Sequence, residues 1–184
     1  MLILVMFGID SYAQTPSSSM KQQRKELRMK KKQEKQQALL KSRKFYAYLL
    51  KNKAFVLEAN QVFGPRGNML SVSPTTNFFA VRKNKVIFQY GLGAGGRNGV
   101  GGMTAEGFID HYQFESGKSN KKGLTVSGNI QPKNSGNAGY FTLTVMNNGN
   151  ASLRIIMPYG SNLSMSGRLV ALPNASVFKG STDF

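Results

Sequence analysis

Three groups of residues have types and spacings suited to chemistry. Gly91-Leu92-Gly93-Ala94-Gly95-Gly96 has the spacing of a dinucleotide-binding turn and follows an apolar run. Such a turn works because a helix comes next, whose free N–H groups and positive dipole end meet the pyrophosphate. Here the chain continues Arg97-Asn98-Gly99-Val100-Gly101-Gly102, which leaves no room for that helix. The segment reads instead as a flexible or close-packed glycine-rich loop, with a lid over a cavity mouth as the alternative. Gly95, Gly96, Gly101 and Gly102 would let backbone approach a ligand closely, and Arg97 would meet an anionic group on it.

The second group is Glu106, Asp110, His111 and Glu115, which includes the one histidine of the chain. A metal or an acid–base pair would need these side chains on one side. If residues 109 to 115 form a strand, His111 and Glu115 share a face and Asp110 points to the other, which splits the set. His111 remains a candidate ligand contact, and no metal site is expected. There are no cysteines, so disulfides, thiolate catalysis, Cys-based zinc sites and a lipoprotein thiol are excluded together. No Ser/His/Asp or Cys/His pattern is recognisable, so the chain reads as a non-enzyme without a cofactor.

The third group is a run of cations. Of 25 Lys and Arg against 8 Asp and Glu, 13 fall in residues 21 to 53 beside only Glu26 and Glu34. That segment carries +11 of the net +17. Lys25, Arg28, Lys31, Lys32 and Lys35 are the candidate contacts to an anionic surface of lipid, glycolipid or polysaccharide, where each cation contributes about 1 kcal/mol. Before Phe45 the segment lacks an apolar face for bilayer insertion, so electrostatics would carry the binding; the alternative is a solvated helical arm that only keeps the protein soluble. Nucleic acid fits the charge but no recognised motif accompanies it, and none is expected as a partner.

The elements that must hold these groups follow from periodicity. Leu2 to Ile9 are apolar and Ser11-Tyr12-Ala13 puts small residues before Gln14, so residues 1–13 read as a signal peptide whose start, without a positive n-region, is truncated. Residues 14–53 are a linker and a basic helical lead-in, free of Pro and Gly from Met20 to Asn52. Ala38, Ser42, Phe45, Tyr46 and Leu49 lie at helical spacing and are expected to dock on the domain. From 54 to 184 the period shifts to two, with Gly, Asn and Pro clusters about every ten residues. Expected strands are 55–63, 77–81, 85–90, 109–115, 124–130, 140–146, 151–157 and 163–172. Arg82-Lys83-Asn84 and Asn147-Asn148-Gly149-Asn150 are tight joints, the latter with the Asn-Gly signal for positive φ. The fold class is mainly β: an antiparallel meander of about eight strands, closing as a small barrel or a sandwich, behind a basic N-terminal helix.

Several segments together resemble the bacterial domain-of-unknown-function family 4251, exported proteins of Bacteroidota. They are Phe55-Val56-Leu57-Glu58-Ala59-Asn60, Arg66-Gly67-Asn68-Met69, Asn77-Phe78-Phe79-Ala80-Val81, Gly99-Val100-Gly101-Gly102-Met103-Thr104-Ala105-Glu106-Gly107, Lys121-Lys122-Gly123 and Ser166-Gly167-Arg168-Leu169-Val170. The resemblance implies export and a compact β-rich domain, and it carries no catalytic or binding residues to transfer. The expected function is that of a non-catalytic periplasmic or secreted protein of the cell envelope, binding an apolar or anionic ligand. The alternative is a structural protein that binds an envelope protein partner, and the third reading is a hydrolase using Asp110, His111 and Glu115. No transmembrane span is expected after the leader, because no later segment reaches about 20 apolar residues.

Overall fold

The computed structural model describes residues 17–64, 67–91, 103–117, 122–133, 139–157 and 162–177. The segment rich in strong helix formers makes one helix, α1 (Ser17–Lys51). The chain divides between Ala38 and Leu39 into two units, and the last turns of α1 belong to the second. In that unit the described residues form nine strands: β1 (Ala54–Phe63), β2 (Met69–Ser71), β3 (Phe78–Arg82), β4 (Lys85–Tyr90), β5 (Met103–Ser116), β6 (Leu124–Pro132), β7 (Gly139–Val145), β8 (Asn150–Ile156) and β9 (Asn162–Ala171). The eight expected strands are all present. The additional one, β2, is three exposed residues without alternation.

Every pairing is antiparallel, and β3 to β9 pair in chain order. One side of β1 pairs with β9, from Phe55↔Ala171 to Phe63↔Ser164. Its other side is shared, Ala54 to Glu58 by β3 and Gln61 to Phe63 by β2. The first and last strands therefore join, and the choice between sandwich and barrel resolves to a closed eight-stranded barrel with β2 as an extra strand. Eight strands enclose a space just wide enough to be filled by side chains or to hold one small ligand. Here Phe55, Leu57, Phe79, Val126, Phe141, Leu143, Leu153 and Leu169 occupy it with at most 2 % exposure. The Phe79 and Phe141 rings lie 5.3 Å apart at a tilt.

Strict alternation fails in two places for physical reasons. Around Phe78-Phe79-Ala80-Val81 and Val86-Ile87-Phe88 both faces are apolar, because Val56, Phe78, Ala80 and Ile87 form a second small core on the outside of the barrel. The segment after β9 covers it through Leu172, Ala175 and Val177, and the Ser176 amide donates to Glu58 Oε1 at 2.7 Å. In β5 a bulge sets His111 and Tyr112 opposite the single residue Gly128, with His111 at φ 51°. The inward positions shift from Ile109 to Tyr112 and Phe114, which pack against the core.

That shift brings Tyr112 to the end of α1. At this end of the barrel the β3–β4, β5–β6 and β7–β8 connections meet the α1–β1 junction. Tyr46, Leu49 and Leu50 close it as part of the main core. The Tyr112 hydroxyl donates to the Leu50 carbonyl at 2.6 Å, and the Asn52 side chain donates to the Tyr48 carbonyl at 2.9 Å. Each is a second bond to a carbonyl of the last turn that already accepts a backbone amide, Asn52 N–H on Tyr48 and Lys53 N–H on Leu50. Arg43 fastens the same turns, donating to the carbonyls of Lys122 at 2.6 Å and Gly117 at 3.2 Å, and to Ser116 Oγ and Asn147 Oδ1 at 3.1 Å each. Tyr46 lies against Gly149, whose φ of 87° supplies the positive dihedral expected of the Asn-Gly joint. Of the docking residues read from spacing, Tyr46 and Leu49 are buried, but Phe45 is 48 % exposed and Ala38 is exposed. Ser42 is half-buried, and the docked stripe runs through Arg43, Tyr46, Ala47, Leu49 and Leu50, because the apolar run from Phe45 to Leu50 is nearly continuous and lets the barrel choose the rotation.

Burial pushes the Tyr112 phenol well above its ordinary value. Below about pH 10, where a free phenol titrates, it is protonated in both folded and unfolded chains and its contribution is complete. Above that pH the unfolded chain ionises first, so stability falls as pH rises. Thermal melts from pH 8 to 11.5 should show a steeper alkaline decline for the wild type than for Tyr112→Phe. At neutral pH that variant should lose only about 1 kcal/mol with the hydrogen bond. Equal alkaline slopes would mean that the phenol is not the responsible group.

Candidate functional site

In the first unit, α1 carries the concentrated charge. Lys21, Arg24, Lys25, Arg28, Lys31, Lys32 and Lys35 follow one another at spacings of three and four, so at 3.6 residues per turn they share one face about 120° wide and about 21 Å long. All seven are exposed. Glu26 and Glu34 fall outside this face by the same count. The five cations singled out from sequence are among the seven. Lys21 and Arg24 were missed there, and the signal that finds them is the three-and-four spacing itself, applied to charge rather than to apolar residues. Like charges at these spacings destabilise a helix by a few tenths of a kcal/mol per pair, and a multivalent anion along the face would remove that repulsion. The arrangement suits phosphate, sulfate or carboxylate groups presented in a row.

The second region is the barrel end opposite α1. The β4–β5, β6–β7 and β8–β9 connections leave from it. Arg97, Gly95, Gly96, Gly101 and Gly102 lie outside the described residues. What is described is the anchor of that loop: Asn77, 2 % exposed, accepts a hydrogen bond from the Gly91 amide on its Oδ1 at 2.7 Å. Its Nδ2 donates to the Ser73 carbonyl at 3.0 Å and to Thr76 Oγ1 at 3.2 Å. The amide is buried because every arm of it is satisfied. Asn77→Ala should cost about 2 kcal/mol, since it leaves the Gly91 amide without its acceptor. Urea unfolding checks the cost, and faster hydrogen exchange at Gly91 checks the local release; an unchanged Gly91 would refute the anchoring role.

The third region is the β5 bulge. Asp110 and His111 do not split to opposite faces as an unbroken strand would require, because the positive φ of His111 turns both outward. His111 Nδ1 sits 2.9 Å from Asp110 Oδ2, and the two side chains are 72 % and 58 % exposed. Glu115 is exposed too, and Glu106 lies 3.9 Å from Lys133 Nζ. Among the described residues no three of His, Asp and Glu come together as a metal would need. A contact this exposed contributes little.

Two depressions on the described surface are shallow and polar-edged. One, of about 590 Å³, is bordered by Glu115, Ser116, Lys122 and Thr125. The other, of about 50 Å³, lies between Lys85, Glu106, Phe108 and Lys133. Among the described residues no helix is long and apolar enough to cross a membrane.

Residues 30–169 match the family described as Domain of unknown function (DUF4251). No curated protein matches the chain. Among solved structures it is similar to the crystal structure of a DUF4251 family protein from Bacteroides eggerthii DSM 20697. The two are 30 % identical, with a TM-score of 0.61 over 77 % of this chain and 95 % of that one. The barrel, the helix before it and the sequence match agree, and the chain belongs to the DUF4251 family.

Proposed function

We propose that this protein is an exported, non-catalytic binding protein of the cell envelope, and that the basic face of α1 holds an anionic partner there. The observation that carries the reading is the seven-cation row from Lys21 to Lys35. Its length matches a surface or polymer carrying many charges better than it matches one small anion. An anionic partner is favoured over an apolar ligand inside the barrel because the described interior is filled by the chain's own side chains. Export rests on the apolar run ahead of Gln14.

The test is co-sedimentation of the protein beginning at Gln14 with anionic and with neutral vesicles across a salt series, with soluble dextran sulfate as a competing polyanion. Binding that requires the anionic lipid and fades between 50 and 500 mM salt, as about 8 Å screening at physiological ionic strength dictates, is the expected result. Replacing Lys25, Arg28, Lys31 and Lys35 with Gln should lower the affinity at least a hundredfold at low salt, at about 1 kcal/mol per cation. Competition by dextran sulfate separates general polyanion binding from a preference for lipid. Salt-insensitive binding, or unchanged binding in the quadruple variant, would refute the proposal.

A second reading, attachment to another envelope protein, has one observation in its favour. β2 pairs on one side only among the described strands, and its Met69 and Leu70 are exposed. A stoichiometric crosslinked partner that is lost when Leu70 becomes Lys would put this reading ahead of the first.

A further inference from the structure

The docked turns of α1 have an outer side, and its composition is unusual for a surface. Lys41, Lys44, Phe45 and Tyr48 follow the spacing i, i+3, i+4, i+7, which places them in one stripe turned away from the buried Tyr46 and Leu50, with the buried Leu49 at its edge beside Phe45. Leu40 flanks it one turn below Lys44. Tyr48 is 65 % exposed, Phe45 48 % and Leu40 41 %, and none of the three belongs to either core of the barrel. Between Glu34 and Glu58 the sequence has no acidic residue, so nothing on this stretch of helix neutralises the two lysines. Met146 is also exposed and lies at the same end of the barrel.

We propose that this stripe is a bilayer-interface site, by which the helix-capped end of the barrel rests on a membrane containing anionic phospholipid. The chemistry selects that partner. Exposed aromatic rings gain most where an apolar layer lies directly beneath a polar one, the depth at which Phe and Tyr settle between headgroup and acyl chain. Lysines beside them bury their methylene stems and keep the ammonium among lipid phosphates. A polysaccharide or soluble polyanion offers the charges but no apolar layer, so it would leave the rings in water. The stripe is two turns long, too short to span and suited to lying in the interface plane. The site uses no residue of the Lys21 to Lys35 row, so it can stand or fall separately from the polyanion reading.

The chain contains no tryptophan, which makes a direct test available. Tyr48→Trp in the protein beginning at Gln14 gives a single tryptophan, which is excited selectively at the red edge of absorption where the tyrosines do not absorb. Its emission should shift to the blue on mixing with anionic phospholipid vesicles and be quenched by lipids brominated on the acyl chain, while dextran sulfate causes neither change. Phe45→Ser with Tyr48→Ser should weaken vesicle binding about tenfold, the loss expected from roughly 60 Å² of apolar surface no longer withdrawn from water. Tyr48 is exposed and Phe45 gives up only its edge contact with the Tyr46 ring, 5.4 Å between centroids, so the thermal midpoint should fall by no more than a few degrees. Co-sedimentation with no blue shift and no bromine quenching would overturn the interface site while leaving the basic row intact as the binding element. Unchanged affinity in the double serine variant would overturn it as well, and absence of binding to any vesicle at 50 mM salt would overturn both readings.

Discussion

A protein beginning at Lys53 will not keep a cooperative fold, whereas one beginning at Leu39 will melt within a degree or two of the intact chain. The first truncation removes Tyr46, Leu49 and Leu50, which are 8 %, 5 % and 0 % exposed and form the lid of the barrel core. At about 1.5 to 3 kcal/mol for each buried side chain, their loss approaches the roughly 5 to 15 kcal/mol that holds an ordinary domain together. It also removes the four Arg43 hydrogen bonds that tie together the β5–β6 and β7–β8 connections, and it opens the Tyr112 hydroxyl to water. Among the described residues the second truncation takes away only exposed helix from the other unit. Calorimetry of the two truncated proteins beside the intact chain decides the matter. A sharp transition for the protein beginning at Lys53 would mean that α1 is an appendage rather than part of the core. The boundary between a basic lead-in and a folded domain therefore lies inside a continuous helix, about fifteen residues before the first strand.

The second large effect is at the closing seam. Gly167 occupies an inward position of β9 between Met165 and Leu169, where β1 carries its own irregularity between Ala59 and Gln61. A methyl group there would run into the carbonyl oxygen of Glu58. That oxygen is backbone, held in the sheet, and cannot swing aside as a side chain would. Gly167→Ala should therefore cost about 3 kcal/mol, the upper part of the usual range for overfilling a core. In a chain of this size that lowers the midpoint by roughly 6 to 12 °C. An equilibrium unfolding curve checks the size, and amide exchange should show the loss concentrated in β1 and β9. A neutral substitution would mean that the seam is looser than its pairing implies.

Much of the fold was legible because the barrel has an inside and an outside. Along β6 and β7 every second residue is apolar, Leu124, Val126 and Ile130 on one, Phe141, Leu143 and Val145 on the other, and that rhythm is enough to locate strands. It fails where the physics is not local. β2 has no buried side at all, and the first half of β5 begins after a glycine run and turns Phe108 outward. The bulge at His111 inverts the rhythm in mid-strand, which is why Asp110 and His111 appeared to diverge and do not. Barrel and sandwich differ only by the pairing of Phe55 with Ala171, a contact between residues more than a hundred positions apart that no window of sequence contains. The basic row was legible for the opposite reason: nothing packs on it, so its spacing is undisturbed. The outer stripe of Phe45 and Tyr48 was hidden in an apolar run and emerged only once the barrel had taken Tyr46, Leu49 and Leu50 from that run.

The pairing of β1 with β9 also sets the order in which the protein can be made. A ring that closes through its first and last strands has no complete intermediate: until residue 171 is available, β1 presents an unpaired edge and the core beneath it stays open. The loop to be closed is long, and topologies dominated by such distant pairings fold in milliseconds to seconds rather than microseconds. A chain emerging from a ribosome at about 5 to 20 residues per second therefore spends several seconds unable to finish folding, whatever the strength of its local hairpins. During that interval it remains a substrate for chaperones and for any machinery that handles extended chains.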